Sequence, residues 1–314
     1  MFPIDVRGLR KSYQSTEVLH GIDLQVPAGS VFALLGRNGA GKSTTMRLLL
    51  GLLDADAGDI RVVGQRMPAE RLDILRDVGS MIEQPSLYES LSARENLRID
   101  ASLRGLGEAA IDKALEVVEL DAGAKPVKHY SMGMKQRLAL ALAVLGEPKL
   151  LLLDEPTNGL DPMGIADMRR LLRSLPERLD TTVLLSTHLL GEVEQVASHL
   201  CVLEAGEIRY TGTLDELKAR EPKVLRLQCD DIPHLYNWLG ETGHEAQLDT
   251  GRASITVPVA DTSESARLLR RAVQEGFRIH HASFESRSLE EIYFDMIGRD
   301  ASGLLPVVTE EKAA

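Results

Sequence analysis

The sequence predicts an α/β layered domain followed by a smaller α+β module. Three observations carry that expectation. Short β-rich runs alternate with amphipathic helical stretches over about the first 220 residues. The run LLLL at 150–153 is wholly apolar and VLLS at 183–186 nearly so, the kind found in parallel strands covered on both faces. An apolar strand, SVFALLG at 30–36, runs directly into a glycine-rich loop, and a helical pattern starts straight after it.

Taken in order, strands are expected at 5–13, 18–26, 30–36, 59–64, 149–154, 181–187, 201–206 and 207–212. Between them, helices are expected near 42–52, 93–106, 109–120, 134–145, 163–175 and 189–198, with one more at 214–220. The charged, proline-containing stretch KAREPK at 218–223 marks a boundary, so the first domain is placed at 1–220. The pattern then restarts. VLRLQC reads as a strand, PHLYNWLGET as a helix, EAQLD and ASITVPV as a hairpin, and SESARLLRRAVQEG as a capped helix. FRIHHASFES follows as a strand and SLEEIYFDMIG as a last helix. This βαββαβα order at 221–299 resembles a ferredoxin-like module with an added helix. Leu289, Ile292, Tyr293 and Met296 share one face of that last helix. Residues 300–314 lack periodicity and read as a flexible tail. No internal repeat is visible.

Composition narrows the function. Apolar residues make up 44% of the 314 and aromatics only 4%, so the core is aliphatic. The formal charge of −11 argues against a nucleic-acid binder that works through a bulk positive field. The two cysteines, Cys201 and Cys229, form neither a disulfide framework nor a zinc site by themselves and read as reduced thiols. No run approaches the roughly 18 apolar residues of a membrane helix, and the N-terminus has no signal core. The chain is expected to be soluble and not to cross a membrane.

The chemistry concentrates in two places. Gly36, Arg37, Asn38, Gly39, Ala40, Gly41, Lys42 and Ser43 match the G-x-x-x-x-G-K-[ST] phosphate loop, with Thr44 next in line. Glycines let consecutive N–H groups turn toward one point, and the helix start adds partial positive charge there. Lys42 supplies a charge for the β- and γ-phosphates, and the Ser43 hydroxyl suits Mg²⁺. The second place is KLLLLDE at 149–155. Asp154 falls where a strand tip can support the Mg²⁺ shell, and Glu155 falls one step beyond, where a carboxylate can polarise the attacking water.

Together these motifs resemble the ATP-binding subunits of ABC transporters, through about residue 215. YSMGMKQR is similar to the family signature L-S-G-G-Q-x-Q-R. Ser131 and Gly133 match its serine and second glycine, Gln136 and Arg137 its trailing pair, while Met132 and Met134 replace a glycine and a glutamine. Without the family, this stretch reads as a helix cap. NGLD at 158–161 resembles the D-loop, whose aspartate is Asp161. His188 in LLSTHLL matches the switch histidine, and Tyr13 stands where the family keeps an adenine-stacking aromatic. In MIEQPSLY, either Glu83 or Gln84 takes the metal-facing Q-loop place, a variant similar to subunits of bacitracin and lantibiotic exporters.

The resemblance implies a P-loop NTPase cassette with a RecA-like core, an antiparallel β subdomain and a helical subdomain. It implies ATP and Mg²⁺ as ligands and catalytic roles for Lys42, Glu155 and His188. It further implies a homodimer or heterodimer in which each ATP lies between Lys42 and Ser43 of one copy and Ser131 and Gly133 of the other. A separate membrane permease would hold this motor at the cytoplasmic face of the cell membrane, receiving its work through the region 87–107. The S-L-E-E-I-Y ending resembles ATPases of the ABC-2 exporter type. The alternative is a soluble ABC ATPase acting on ribosomes or DNA. One cassette, about 110 residues between its two nucleotide motifs, and an acidic balance favour the transporter.

Overall fold

The computed structural model describes residues 2–298 apart from 83–86, 122, 221–222, 250, 252 and 287. The chain divides into two compact units, Met1–Leu214 and Asp215–Ala314. The division falls at the start of a helix at Leu214–Arg220, whereas the proline-containing stretch legible in the sequence marks the end of that helix.

The first unit holds two sheets. Strands β1 (Ile4–Tyr13), β2 (Thr16–Val26), β4 (Ala57–Val62) and β5 (Gln65–Arg66) form an antiparallel sheet in the order β2-β1-β4-β5. Ile4, Val6, Leu9, Leu19, Ile22 and Leu24 are buried, and near-alternate spacing puts them on one face of the sheet. The second sheet comprises β3 (Val31–Leu35), β6 (Val78–Met81), β7 (Leu150–Asp154), β8 (Thr182–Thr187), β9 (His199–Glu204) and β10 (Glu207–Thr213). Its order is β10-β9-β3-β8-β7-β6, parallel except for β10, which returns antiparallel on β9. Every residue of β3 and β8 is buried, as continuous apolar runs require when both faces are covered. Both sheets contribute to one core, where Leu9, Leu24, Phe32, Leu34, Leu152 and Leu184 meet Met46 and Leu49 of helix α1 (Lys42–Leu49).

The remaining helices of this unit are α2 (Arg71–Arg76), α3 (Ala93–Arg104), α4 (Glu108–Val117), α5 (Met132–Val144), α6 (Pro162–Leu179) and α7 (Leu190–Val196). Helix α3 opens with a full capping box: Ser92 accepts from the Glu95 N–H, and the Glu95 carboxylate accepts from the Ser92 N–H at 2.8 Å. Helices α3, α4 and α5 pack on one another. The sequence pattern stops α6 at 175, but the helix continues through Pro176 to Leu179. Buried Leu171, Leu172, Leu175 and Leu179 form an apolar stripe that outweighs the hydrogen bond lost at the proline. The short elements β5, α2 and β6 carry too few apolar residues to show a period in sequence. For β6 the reason is Gly79, where a Cβ would stand 1.9 Å from the Ala143 carbonyl oxygen, so only glycine lets α5 lie this close.

The second unit begins one residue into α8 (Leu214–Arg220) and continues as β11 (Lys223–Cys229), α9 (Ile232–Glu241), β12 (Gln247–Asp249), β13 (Ser254–Val259), α10 (Thr262–Gln274), β14 (Ile279–Ser286) and α11 (Leu289–Gly298). The four strands form an antiparallel sheet in the order β12-β13-β11-β14. Leu225, Leu227, Ile255 and Val257 pack with Leu235 and Leu239 of α9 and Leu268 and Ala272 of α10. Arg226, which alternates with these leucines on β11, is buried and binds Glu291 of α11 at 2.8 Å, Asp249 at 3.3 Å and Glu285. Glu291 and Arg226 therefore tie α11 to the face opposite α9 and α10. Leu289, Ile292 and Tyr293 are buried, whereas Met296, expected on the same face, is only half-buried.

No helix among the described residues is long and apolar enough to cross a membrane. Both cysteines are buried and free, one in each unit. Burial pushes the Cys201 thiol up to about 12, far from thiolate chemistry.

Candidate active site

The parallel sheet assembles the site at the carboxyl ends of three adjacent strands. Leu35 of β3 pairs with Thr187 of β8, and Asp154 of β7 pairs with Ser186 of β8. The residues that follow each strand are consequently neighbours, which is where open α/β sheets place their ligands.

After β3, the loop 36–41 turns into α1. Gly36 donates its N–H to the Thr187 carbonyl at 3.3 Å, fastening the loop to β8. A Cβ on Gly36 would lie 2.3 Å from the Leu203 carbonyl oxygen, so this position accepts no side chain without backbone movement. Gly41 is the helix N-cap at φ +109°, a left-handed conformation that glycine adopts without strain. Arg37, Asn38 and Gly39 form the exposed crown of the loop. The N–H groups of Lys42, Ser43 and Thr44 open the helix with no backbone acceptor among the described residues and point donors at the loop. Thr44 is buried and Ser43 half-buried.

Lys42 is buried, and its ammonium donates to the carbonyls of Gly36 at 2.8 Å and Arg37 at 3.1 Å. It stands 3.9 Å from Glu155 Oε1. Burial lowers its pKa from the ordinary lysine value, and the charges of Glu155 and Asp154 oppose that shift. The site thus concentrates one desolvated cation between two carboxylates and a set of backbone donors.

At the end of β7, Asp154 Oδ1 accepts the Ser186 hydroxyl. Glu155 sits at φ +46°, an uncommon conformation for a side-chain residue. Its N–H donates to Ser186 at 3.2 Å (carbonyl) and 3.1 Å (hydroxyl), which holds the backbone there. Glu155 Oε1 also lies 3.0 Å from His188 Nδ1. A carboxylate only accepts, so the ring nitrogen carries the donated hydrogen. Asn158 Nδ2 reaches Glu155 Oε2 at 3.4 Å. Lys42, Glu155 and His188, three residues expected from the sequence to work together, converge around one carboxylate oxygen.

Of the other expected residues, Ser131 and Asp161 cap helices of their own. Ser131 is the N-cap of α5 and accepts from the Met134 N–H at 3.3 Å, so its hydrogen bonds serve its own helix. Gly133 is half-buried next to Leu160, while Met132 is half exposed. Asp161 caps α6, its carboxylate accepting from the Gly164 N–H at 2.7 Å. Tyr13, at the end of β1, is exposed, with the Lys11 ammonium 5.9 Å from its ring centroid. Glu83 and Gln84 lie outside the described residues, just beyond the end of β6.

Two site-bracing residues escape sequence reading by type and period alone. Gln136, buried on α5, donates from Nε2 to the Pro156 carbonyl at 2.7 Å, joining the signature helix to the segment after Glu155. Glu192 on α7 is a buried carboxylate that receives the hydroxyls of Thr157 and Thr187. In the sequence, Gln136 is visible only as part of a motif, and Glu192 only as a polar residue in an amphipathic helix.

Residues 19–158 match the ABC transporter family. A bacitracin transport ATP-binding protein of Bacillus licheniformis is 36% identical over 302 residues, covering 96% of this chain and 99% of that one. A daunorubicin resistance ATP-binding protein of Streptomyces coeruleorubidus is 38% identical over 308 residues, covering 95% and 96% respectively. Among solved structures, an ATP-binding subunit of an ABC transporter superposes with a TM-score of 0.62 at 33% identity, covering 70% of this chain and 93% of that one.

Proposed function

The chain belongs to the ATP-binding subunits of ABC transporters, and from that premise we infer how its own residues bind and split ATP. It is an ATPase, the motor subunit of an exporter, and it works with a membrane permease. The observation that carries the site reading is the convergence of Lys42 and His188 on Glu155 Oε1, at 3.9 and 3.0 Å, where three strands end.

The helix-start N–H groups of Lys42, Ser43 and Thr44 and the curl of the loop cradle the phosphate chain. The Lys42 ammonium exchanges its carbonyl partners for β- and γ-phosphate oxygens. Glu155 orients the attacking water and takes its proton, and His188 holds that carboxylate in place from the β8 side. The donor set of the Ser43 hydroxyl and the Asp154 carboxylate, the latter already oriented by Ser186, fits Mg²⁺, a hard cation that prefers oxygen ligands. When bound there, Mg²⁺ neutralises charge on the phosphate oxygens. Glu83 or Gln84 would complete its surroundings. Tyr13, exposed at the end of β1, is placed to offer a ring face to adenine.

Ser131 bonds within its own helix, and with Gly133 at the start of α5 it leaves the N-terminal face of that helix to a second chain. In a head-to-tail pair of ATPase subunits, identical or related, they meet the γ-phosphate bound by the partner, with Asp161 at the seam. ATP then holds the pair closed until hydrolysis. The permease places this pair at the cytoplasmic face of the membrane. Residues 1–220 form the motor, and 221–299 serve assembly and take no part in hydrolysis.

Glu155→Gln tests the reading. The change keeps the shape and removes the base, so steady-state turnover should fall by about 10²–10⁴-fold while ATP binding persists. Size-exclusion chromatography with ATP should show a trapped dimer. Turnover near that of the unmodified protein overturns the assignment.

A further inference from the structure

Glu192 lies four residues beyond His188 on α7, with 3% of its surface exposed. Its two carboxylate oxygens take one hydroxyl each. Thr157 Oγ1 donates to Oε1, and Thr187 Oγ1 donates to Oε2 at 2.6 Å. No cation among the described residues pairs with it. A buried carboxylate without a counter-charge is costly, and hydroxyl donors recover only part of that cost. Its position explains what the arrangement secures.

Thr157 stands two residues after Glu155, and Thr187 stands immediately before His188. Both are buried, at 4% and 2% exposure. A planar carboxylate holds its two oxygens at a fixed spacing, so the two hydroxyls fix the segment leaving β7 against the segment leaving β8. The Thr187 hydroxyl also accepts the Leu189 N–H at 3.0 Å, so one oxygen defines the backbone on both sides of His188. On the strand side, Ser186 already fastens the Glu155 N–H and the Asp154 carboxylate. The pair Glu155–His188 is therefore braced on the strand side by Ser186 and, through Thr157 and Thr187, by Glu192.

We propose that Glu192 is a positioning residue for ATP hydrolysis: it sets the distance and angle between Glu155 and His188 by clamping Thr157 to Thr187. This rests on the reading that Glu155 and His188 face the γ-phosphate. Glu192 touches neither phosphate nor water itself, so it governs the rate of the chemical step and leaves nucleotide binding by the loop at 36–44 alone.

The full-length chain carrying Glu192→Ala, Glu192→Gln, Thr187→Val or Thr157→Val would be assayed for kcat, KM for ATP and affinity for a fluorescent ATP analogue. Glu192→Ala should lower kcat at least tenfold with KM and affinity within about twofold. Glu192→Gln, which keeps one acceptor oxygen, should fall between. Glu192→Ala combined with Thr157→Val should be no slower than Glu192→Ala alone, because the Thr157 hydroxyl bonds only Glu192 among the described residues. An unchanged kcat in folded Glu192→Ala overturns the proposal, as does a parallel loss of kcat and affinity. Where Glu192→Ala does not fold, the near-isosteric Thr157→Val decides, since that hydroxyl bonds only Glu192 among the described residues: reduced kcat at unchanged KM supports the clamp, and unchanged kcat overturns it. Glu155→Gln run alongside separates the two claims. If it retains turnover, the catalytic assignment itself falls, whatever the Glu192 variants do.

Discussion

Burial lowers the pKa of Lys42 below the ordinary lysine value of 10.5, and that gives the site opposite pH signatures for binding and stability. The charged form is the one proposed to hold phosphate, so ATP affinity should decline on the way up to pH 10.5 sooner than an exposed lysine would allow. The burial cost exists only while the ammonium is protonated. Its penalty on the fold is therefore present at lower pH and relieved as pH rises through the folded value toward 10.5. Nucleotide titrations and denaturant melts across that range check both signs. Lys42→Ala should weaken ATP binding at least tenfold at neutral pH, as calorimetry would read. Gly36→Ala meets the Leu203 carbonyl oxygen at 2.3 Å and should cost about 1–3 kcal/mol in a denaturant melt. Residues of this kind are legible because their chemistry demands a fixed type at a fixed spacing. Glu192 is not, because its role depends on two threonines 35 and 5 positions away, which only the fold brings together.

Elements are legible where a period has room to repeat. The leucine-rich β7 and β8 and the long amphipathic helices stand out, whereas the ends of α1 and α6 differ from the pattern because capping and packing decide them. The four-residue β6 is invisible, since its glycine serves α5 rather than its own strand. Gly79→Val should separate these two elements and lower stability by several kcal/mol, with partial loss of the parallel sheet visible in hydrogen exchange. In the second unit, α11 hangs on Arg226. Burial alone raises the pKa of Glu291, but hydrogen bonds from Arg226 and Ser288 outweigh it and hold the carboxyl below its ordinary 4.5. A depressed carboxylate stabilises fully above 4.5, and the benefit fades as pH falls through the folded value. Acid should therefore loosen α11 below pH 4.5, and Arg226→Met should flatten that dependence, followed by hydrogen exchange of 289–298.

At the scale of the whole molecule, each unit carries its own apolar core. The residues proposed to bind and split ATP all belong to the first unit, so deleting 222–314 should leave ATP affinity near that of the full chain while weakening transporter assembly. Loss of affinity in a truncated protein that still shows its helical circular dichroism would place part of the site in the second unit. The family is legible from one loop, one acidic strand end and one histidine. What stays hidden is how the parts are linked. In the head-to-tail pair proposed above, the buried bond from Gln136 to the Pro156 carbonyl would put the helix offered to a neighbour's nucleotide and the base used on a subunit's own nucleotide on one lever. In a paired motor, each subunit would then sense whether its partner is loaded before committing its own ATP. Firing in concert would be a property of a single amide, and Gln136→Leu should leave two engines that idle independently, seen as a Hill coefficient for ATP falling toward one.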